Sequence, residues 1–463
     1  MLKMPRKQTG RGLFLSFLTA VAMVLVGGVP LPAQTIEDRI ATLEAQIQQL
    51  QSELAAVRRT TTAGATVQDV AAKSANPLVG ASIQPAVLTQ APVQLALAAA
   101  VPAAPPPPAA APPLQDSMSG ELEGLNFFKG VTFGGFIDAY YNWDINEPDD
   151  ATVTLGGVGL KRNFDFSHNS LTLSQVDFEM TKAVSDSAPL GYMLQMAIGP
   201  TADLVNGGDF STGNSTAAHF MQYYMSGRLG SATLDFGKFV TQHGAEVIDN
   251  RVNWNYSRGL LFALAIPYYH FGLRATLPIS DQASMGAFLV NGWNNVVDNN
   301  KGKTLGLNLV LNPSDKVSFI QNYMVGQEQA GASDVRHLFD TLLTLKLNDK
   351  VTFMANYDFG MDRVAGDHVH WQGIATYLRL QPTPMFALTP RFEFYSDPMG
   401  FSTGTRQQVK EFTITPEFVI SENLITRFEY RHDWSNEPTF TVSDPSDDPK
   451  KQDTVAAGLI FKF

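Results

Sequence analysis

Eight histidines, no cysteine and an excess of carboxylates over amines limit the chemistry open to this chain. Without cysteine there is no thiolate metal site, thiol nucleophile or disulfide. Asp367-His368-Val369-His370 has metal-ligand spacing, but two imidazoles do not complete a coordination shell. His432 has no convincing serine partner for hydrolytic chemistry. Asp444, Asp447 and Asp448 could hold divalent ions that bridge surface glycolipid, although a plain charged loop explains them as well. No catalytic centre emerges, so we expect no enzyme, no cofactor and no metal. The residues that recur with regular spacing are opposite charges. Arg379, Arg391, Arg427 and Arg431 share one strand face with Glu393, Glu411, Glu417 and Glu429, and Asp138, Asp177, Glu179 and Arg274 precede them. Rows of this kind either line a water-filled passage, where they sort ions and orient polar solutes, or pair across neighbouring strands and brace a wall.

Their positions follow from a two-residue period. Leu305, Leu307, Leu309 and Leu311 alternate with Gly306, Asn308, Val310 and Asn312. Val351, Phe353, Ala355, Tyr357 and Phe359 alternate with Thr352, Met354, Asn356, Asp358 and Gly360. Phe412, Ile414, Pro416, Phe418 and Ile420 alternate with Glu411, Thr413, Thr415 and Glu417. Runs of about ten residues fit tilted strands that cross a bilayer, and one polar face with one apolar face fits a barrel with a wet interior. Short turns at 312–315, 348–350, 381–384 and 421–423 alternate with longer polar loops at 326–335, 361–370, 396–408 and 435–453. That asymmetry predicts an all-β transmembrane antiparallel barrel of about sixteen strands over residues 127–463, with fourteen or eighteen as alternatives. The strands at 219–226 and 284–291 read poorly because they carry apolar residues on both faces. Val455, Ala457, Leu459, Phe461 and Phe463 share one face of the last strand, which suits contact with barrel-assembly machinery.

Three segments precede the barrel. Residues 1–33 read as a signal peptide, with Lys3, Arg6, Lys7 and Arg11 ahead of an apolar run from Leu13 to Val26 and a cleavage point near Ala33. Its removal takes the formal charge from −11 to −15, which argues against nucleic acid as a partner. Residues 35–59 carry a heptad pattern, Ile40, Ile47 and Leu54 at one seam position and Ile36, Leu43, Leu50 and Val57 at the other, which predicts a short periplasmic coiled coil. Residues 60–118 are rich in Pro and Ala, with four prolines at Pro105–Pro108, and predict an extended linker.

The connection 239–266 is the longest in the first half of the barrel and is not a solvated tip, because Trp254, Tyr256, Leu260, Leu261 and Phe262 favour burial. Together with Lys238, Glu246, Asp249, Arg251 and Arg258 it is expected to fold inward as a constriction loop. Here the sequence resembles the second β-barrel porin family, the OmpL-like porins. The resemblance rests on Gly237-Lys238-Phe239, Gly244 through Asp249, Asn253 through Arg258, Pro267-Tyr268 through Arg274, and Gly134 through Tyr141; Gly259 stands where a second serine is expected. The resemblance implies an outer-membrane channel, set among lipid and glycolipid, and names no substrate. Passive passage of small hydrophilic solutes past the constriction loop is our own expectation, and the isoleucine and leucine seam positions lean towards a dimer that a trimeric barrel could override. Two other functions fit the sequence. The barrel could anchor a periplasmic coiled coil that tethers or oligomerises the protein, or it could be a substrate-specific channel using the arginines at 379–431.

Overall fold

The computed structural model describes residues 130–463, apart from 158–159, 186–187, 212–218, 365, 445 and 447–448. The signal, coiled-coil and linker expectations lie outside the described residues. Sixteen strands follow in order: β1 (Val131–Asp144), β2 (Ser170–Lys182), β3 (Leu190–Ile198), β4 (Phe220–Leu229), β5 (Ala232–Val240), β6 (Tyr269–Ser280), β7 (Ala283–Val290) and β8 (Thr304–Ser314). The second half comprises β9 (Val317–Gln327), β10 (Val335–Asn348), β11 (Val351–Val364), β12 (Asp367–Thr383), β13 (Phe386–Asp397), β14 (Gln407–Ser421), β15 (Leu424–Ser435) and β16 (Lys451–Lys462). Two helices, α1 (Pro200–Ser211) and α2 (Leu260–Leu264), lie in connections.

Each strand pairs antiparallel with its sequence neighbours, and β16 pairs with β1 to close the barrel. Closure is obligatory in lipid, where an open edge would leave backbone N–H and C=O groups without partners. The seam is continued past β16 by reciprocal Gly135–Phe463 backbone hydrogen bonds of 3.0 and 3.1 Å. Period two then assigns the two faces. Outward residues such as Leu305, Leu307, Phe339, Phe412, Phe428, Leu459 and Phe461 are exposed, whereas inward Asn322, Asp340, Asp358, Arg391 and Glu411 are buried. No helix among the described residues is long and apolar enough to cross a membrane; this wall crosses with strands.

The strands at 219–226 and 284–291 are β4 and β7. Both faces are apolar because Met221, Phe288 and Val290 turn inward onto other apolar groups rather than towards water. The long loop expected at 361–370 is instead a hairpin, with β11 running out to Val364 and β12 starting at Asp367. Once a strand rises past the bilayer its outward residues can be polar, so alternation in hydropathy fades while the ladder continues. Here the Arg336–Asp362 ion pair of 2.8 Å ties β10 to β11 on the inner face of that extension.

Candidate functional site

The connection 241–268 leaves the wall at Val240 and returns at Tyr269, its neck closed by a Thr241 N to Tyr268 O hydrogen bond of 2.9 Å. Between these points it is seated inside the barrel. Tyr256, Leu260, Leu261 and Phe262 are buried, as their composition requires, and Trp254 is half-buried against Tyr377. Burying each large apolar side chain contributes about 1.5–3 kcal/mol, so this segment gains by leaving water. Its carbonyls and amides need partners in return, and the wall supplies them.

One cluster centres on Arg391. It is fully buried and donates to Glu411 of β14 at 2.8 and 3.2 Å, to loop residue Glu246 at 2.7 Å, and to the Ser257 carbonyl at 2.7 Å. Glu246 also accepts the Gly259 amide at 2.6 Å. The neighbouring Glu393 carboxylate accepts the amides of Leu260 and Leu261 at the start of α2. A Cβ on Gly259 would lie 2.3 Å from that carboxylate, so glycine there leaves room for the contact. Arg431 pairs with Asp433 at 2.7 Å and donates to the Arg258 carbonyl at 2.8 Å. Glu429 accepts the Tyr256 and Ser257 amides at 2.8 and 3.1 Å. Backbone N–H groups thus supply the positive charge that two arginines cannot provide for five carboxylates.

The loop's other arm reaches the seam. Tyr256 donates its hydroxyl to Asp138 of β1 at 2.8 Å, and Asn250 donates to the same carboxylate at 3.1 Å. Arg427 of β15 donates to the Asn250 carbonyl at 2.8 Å and pairs with Glu417 at 2.7 Å, which also takes Arg379 at 2.6 Å. Arg251 pairs with Asp249 at 2.7 Å and with Glu179 of β2, its guanidinium stacked over Phe136. At the loop's start, Asn322 of β9 donates to the Gln242 carbonyl at 2.9 Å, and Asn356 of β11 accepts the Ala245 amide at 3.0 Å. The segment therefore touches walls on opposite sides of the barrel.

All twelve residues expected to line the interior point into it. Asp138, Arg391, Glu393, Glu411, Glu417, Arg427, Glu429 and Arg431 are buried beneath or beside the loop, while Asp177 is buried against Gln175 and Gln195. Glu179, Arg274 and Arg379 keep some exposure, at 22, 14 and 15% of their side chains. Of the loop set, Lys238 belongs to β5 and donates to Asn206 of α1 at 2.7 Å, whereas Arg258 is spent on loop carbonyls and lies over Phe164. The sequence reading missed a second inward stretch between β1 and β2, at 152–157 and 162–168. Its Arg162 is buried and bonds Asp165 at 3.0 Å and Asp433 at 2.8 Å. Val153, Leu155 and Phe164, all buried, were the signal available in the sequence.

His243 gives the seated loop a pH dependence. It is buried, its Nδ1 lies 3.2 Å from Thr241 Oγ1, its Nε2 has no hydrogen-bond partner among the described residues, and His270, Phe288 and Asp340 face it. Burial pushes its pKa down to about 4, against a weaker opposing pull from Asp340. A released loop would have the ordinary value near 6.5. Between those values the released form binds a proton that the seated form does not, so seating weakens as pH falls from about 6.5 towards 4, by up to about 3 kcal/mol. Opening events should become more frequent over that window, and His243→Leu should flatten the response. An identical profile in the variant would assign the effect to His270 or to carboxylates instead.

A family model described as "Putative beta-barrel porin-2, OmpL-like" matches residues 130–463. No curated protein matches the sequence. Among solved structures, the chain is similar to the anion-selective porin from Comamonas acidovorans, at 10% identity and a TM-score of 0.50 over 72% of this chain and 99% of that one. Outer-membrane expressed OmpT of Vibrio cholerae gives 10% identity and a TM-score of 0.49 over 72% and 97%. The outer membrane channel DcaP of Acinetobacter baumannii gives 10% and 0.48 over 72% and 97%. At such identities the Comamonas structure supports the fold alone.

Proposed function

Because the chain belongs to the OmpL-like β-barrel porin family of the outer membrane, we propose that it passes small hydrophilic solutes by passive diffusion through a lumen narrowed by the seated loop 241–268. The observation that carries this reading is the loop's attachment to opposite walls, from Asp138 on β1 to Asn356 on β11 and Arg391 on β13. A segment held across the interior reduces the free cross-section at its level. The buried charges under it are neutralised by one another and by loop amides, so they brace the constriction. Selectivity then falls to the charges that stay partly wet: Glu179, Asp249, Arg251, Arg274 and Arg379. We assign these five the role of sorting ions.

Purified full-length protein in planar bilayers tests the proposal. Small, discrete conductance steps are expected. Arg379→Ala should shift the cation-to-anion permeability ratio towards cations while the step size changes little, since Glu417 keeps Arg427 at 2.7 Å and is not left without a cation. Silent bilayers, from wild type and from a loop-released variant alike, would overturn the channel reading.

A further inference from the structure

On the outer wall, Tyr323, Phe339 and Phe359 stand side by side on β9, β10 and β11 towards the long-loop ends, which outer-membrane barrels present outside the cell, paired Phe339↔Tyr323 and Phe339↔Phe359. Their rings touch in sequence, with centroids 4.6 and 6.5 Å apart. Such belts mark the boundary between hydrocarbon and headgroups. The next outward row is His337, Met361 and His370, in register across β10, β11 and β12. Above it Arg363 pairs with His368. Each row stands two residues, roughly 7 Å of strand, beyond the last. These residues line an open groove of about 670 Å³ whose floor includes Phe359 and Met361. Arg363, His368 and His370 are exposed, and His337 is held by the Tyr323 hydroxyl at 2.8 Å. Of the acids beside the groove, Asp362 is committed to Arg336, which leaves Asp334 at the margin.

A guanidinium and imidazole N–H donors directly above an aromatic belt are placed where phosphates of the outer leaflet lie. We propose that this groove binds a phosphorylated glycolipid of the outer leaflet, with phosphate on Arg363, His368 and His370 and an acyl chain over Met361 and Phe359. The proposal rests on the outer-membrane location but not on conduction, because the groove is on the opposite face of the wall from the loop.

The test is native mass spectrometry of the detergent-solubilised full chain, titrated with bisphosphorylated lipid A, with the same lipid stripped of both phosphates, and with inorganic phosphate as competitor. The phosphorylated lipid should bind at least about tenfold more tightly than the stripped one, and Arg363→Ala/His368→Ala/His370→Ala should abolish that difference. Lys410→Ala, an outward basic residue on β14, should leave it intact, as should excess inorganic phosphate. Heat-modifiable gel migration checks that the triple variant is folded, and Arg363→Gln alone repeats the test with the smallest change. Equal binding of both lipids, an unaltered triple variant, displacement by phosphate alone, or a change in oligomeric state in place of lost lipid would each overturn the site. Unchanged single-channel conductance in the triple variant is expected and separates this result from the channel proposal.

Discussion

In planar bilayers, Arg391→Ala is expected to conduct in larger steps than wild type, with most channels in the wide state. Arg391 is the cation shared by Glu246 on the loop and Glu411 on the wall, all three at 5% exposure or less. Removing one member of a buried charged group costs about 3–5 kcal/mol, because the remaining charges stay desolvated without a partner. Glu411 keeps Arg431 at 3.5 Å and the Thr413 hydroxyl. Glu246 keeps only the Gly259 amide among the contacts described, and it sits on the element that can move. The relief available to the protein is therefore to release the loop and hydrate Glu246, while sixteen paired strands hold the barrel. A bias of that size shifts the seated-to-released ratio by roughly a hundred- to several-thousand-fold. Trypsin cleavage at Arg251 or Arg258 should appear together with the larger steps. Adding Glu246→Gln should restore seating in part, since it removes the stranded charge and keeps an acceptor for Gly259. If Arg391→Ala conducts like wild type and resists trypsin, the loop is not held by this cluster.

The barrel was legible in the sequence because lipid on one side and polar groups on the other impose a strict two-residue period. The observed strand starts Thr304, Val317, Val351, Phe386 and Leu424 fall where alternation and short turns placed them. Legibility failed where that solvent contrast disappears. In the β11–β12 hairpin the exposed residues Arg363, His368 and His370 are polar, so a continuing strand reads as a polar loop. In β4 and β7, inward Met221 and Phe288 meet folded segments instead of water. The inward direction of the charged residues was also legible, since it needs only parity. Their partners were not: Arg391 and Glu246 are 145 residues apart, and nothing in either local sequence encodes that meeting. The apolar content of 239–266 pointed to an inward fold, but not to the backbone amides that would complete the charge balance around Glu393 and Glu429. For the same reason Gly259 read as a departure from the family pattern, although it fits against Glu393.

A single methyl group at the seam should release the loop from its other arm. Gly458 of β16 faces inward between Tyr140 of β1 and Arg427 of β15, and a Cβ there would lie 2.2 Å from the Tyr256 ring. Alanine suits a strand better than glycine does, so the backbone has no objection to Gly458→Ala; the cost lies in the contact. Tyr256 is buried beside Tyr140, with ring centroids 5.8 Å apart, and donates to Asp138. Displacing the ring costs about 1–3 kcal/mol for overpacking, and the lost donor costs about 1–3 kcal/mol more if Asp138 stays buried. Two companion variants separate these contributions. Tyr256→Phe keeps the ring and removes only the hydroxyl, so it should open the channel less often than Gly458→Ala does. Tyr256→Ala clears the space, so adding Gly458→Ala to it should change nothing further, and the double-mutant cycle should show strong coupling between the two positions. Additive opening frequencies across that cycle would mean that Tyr256 does not sit on Gly458 in the conducting protein, and the seam arm would then have to be held by Asn250, Arg427 and Arg251.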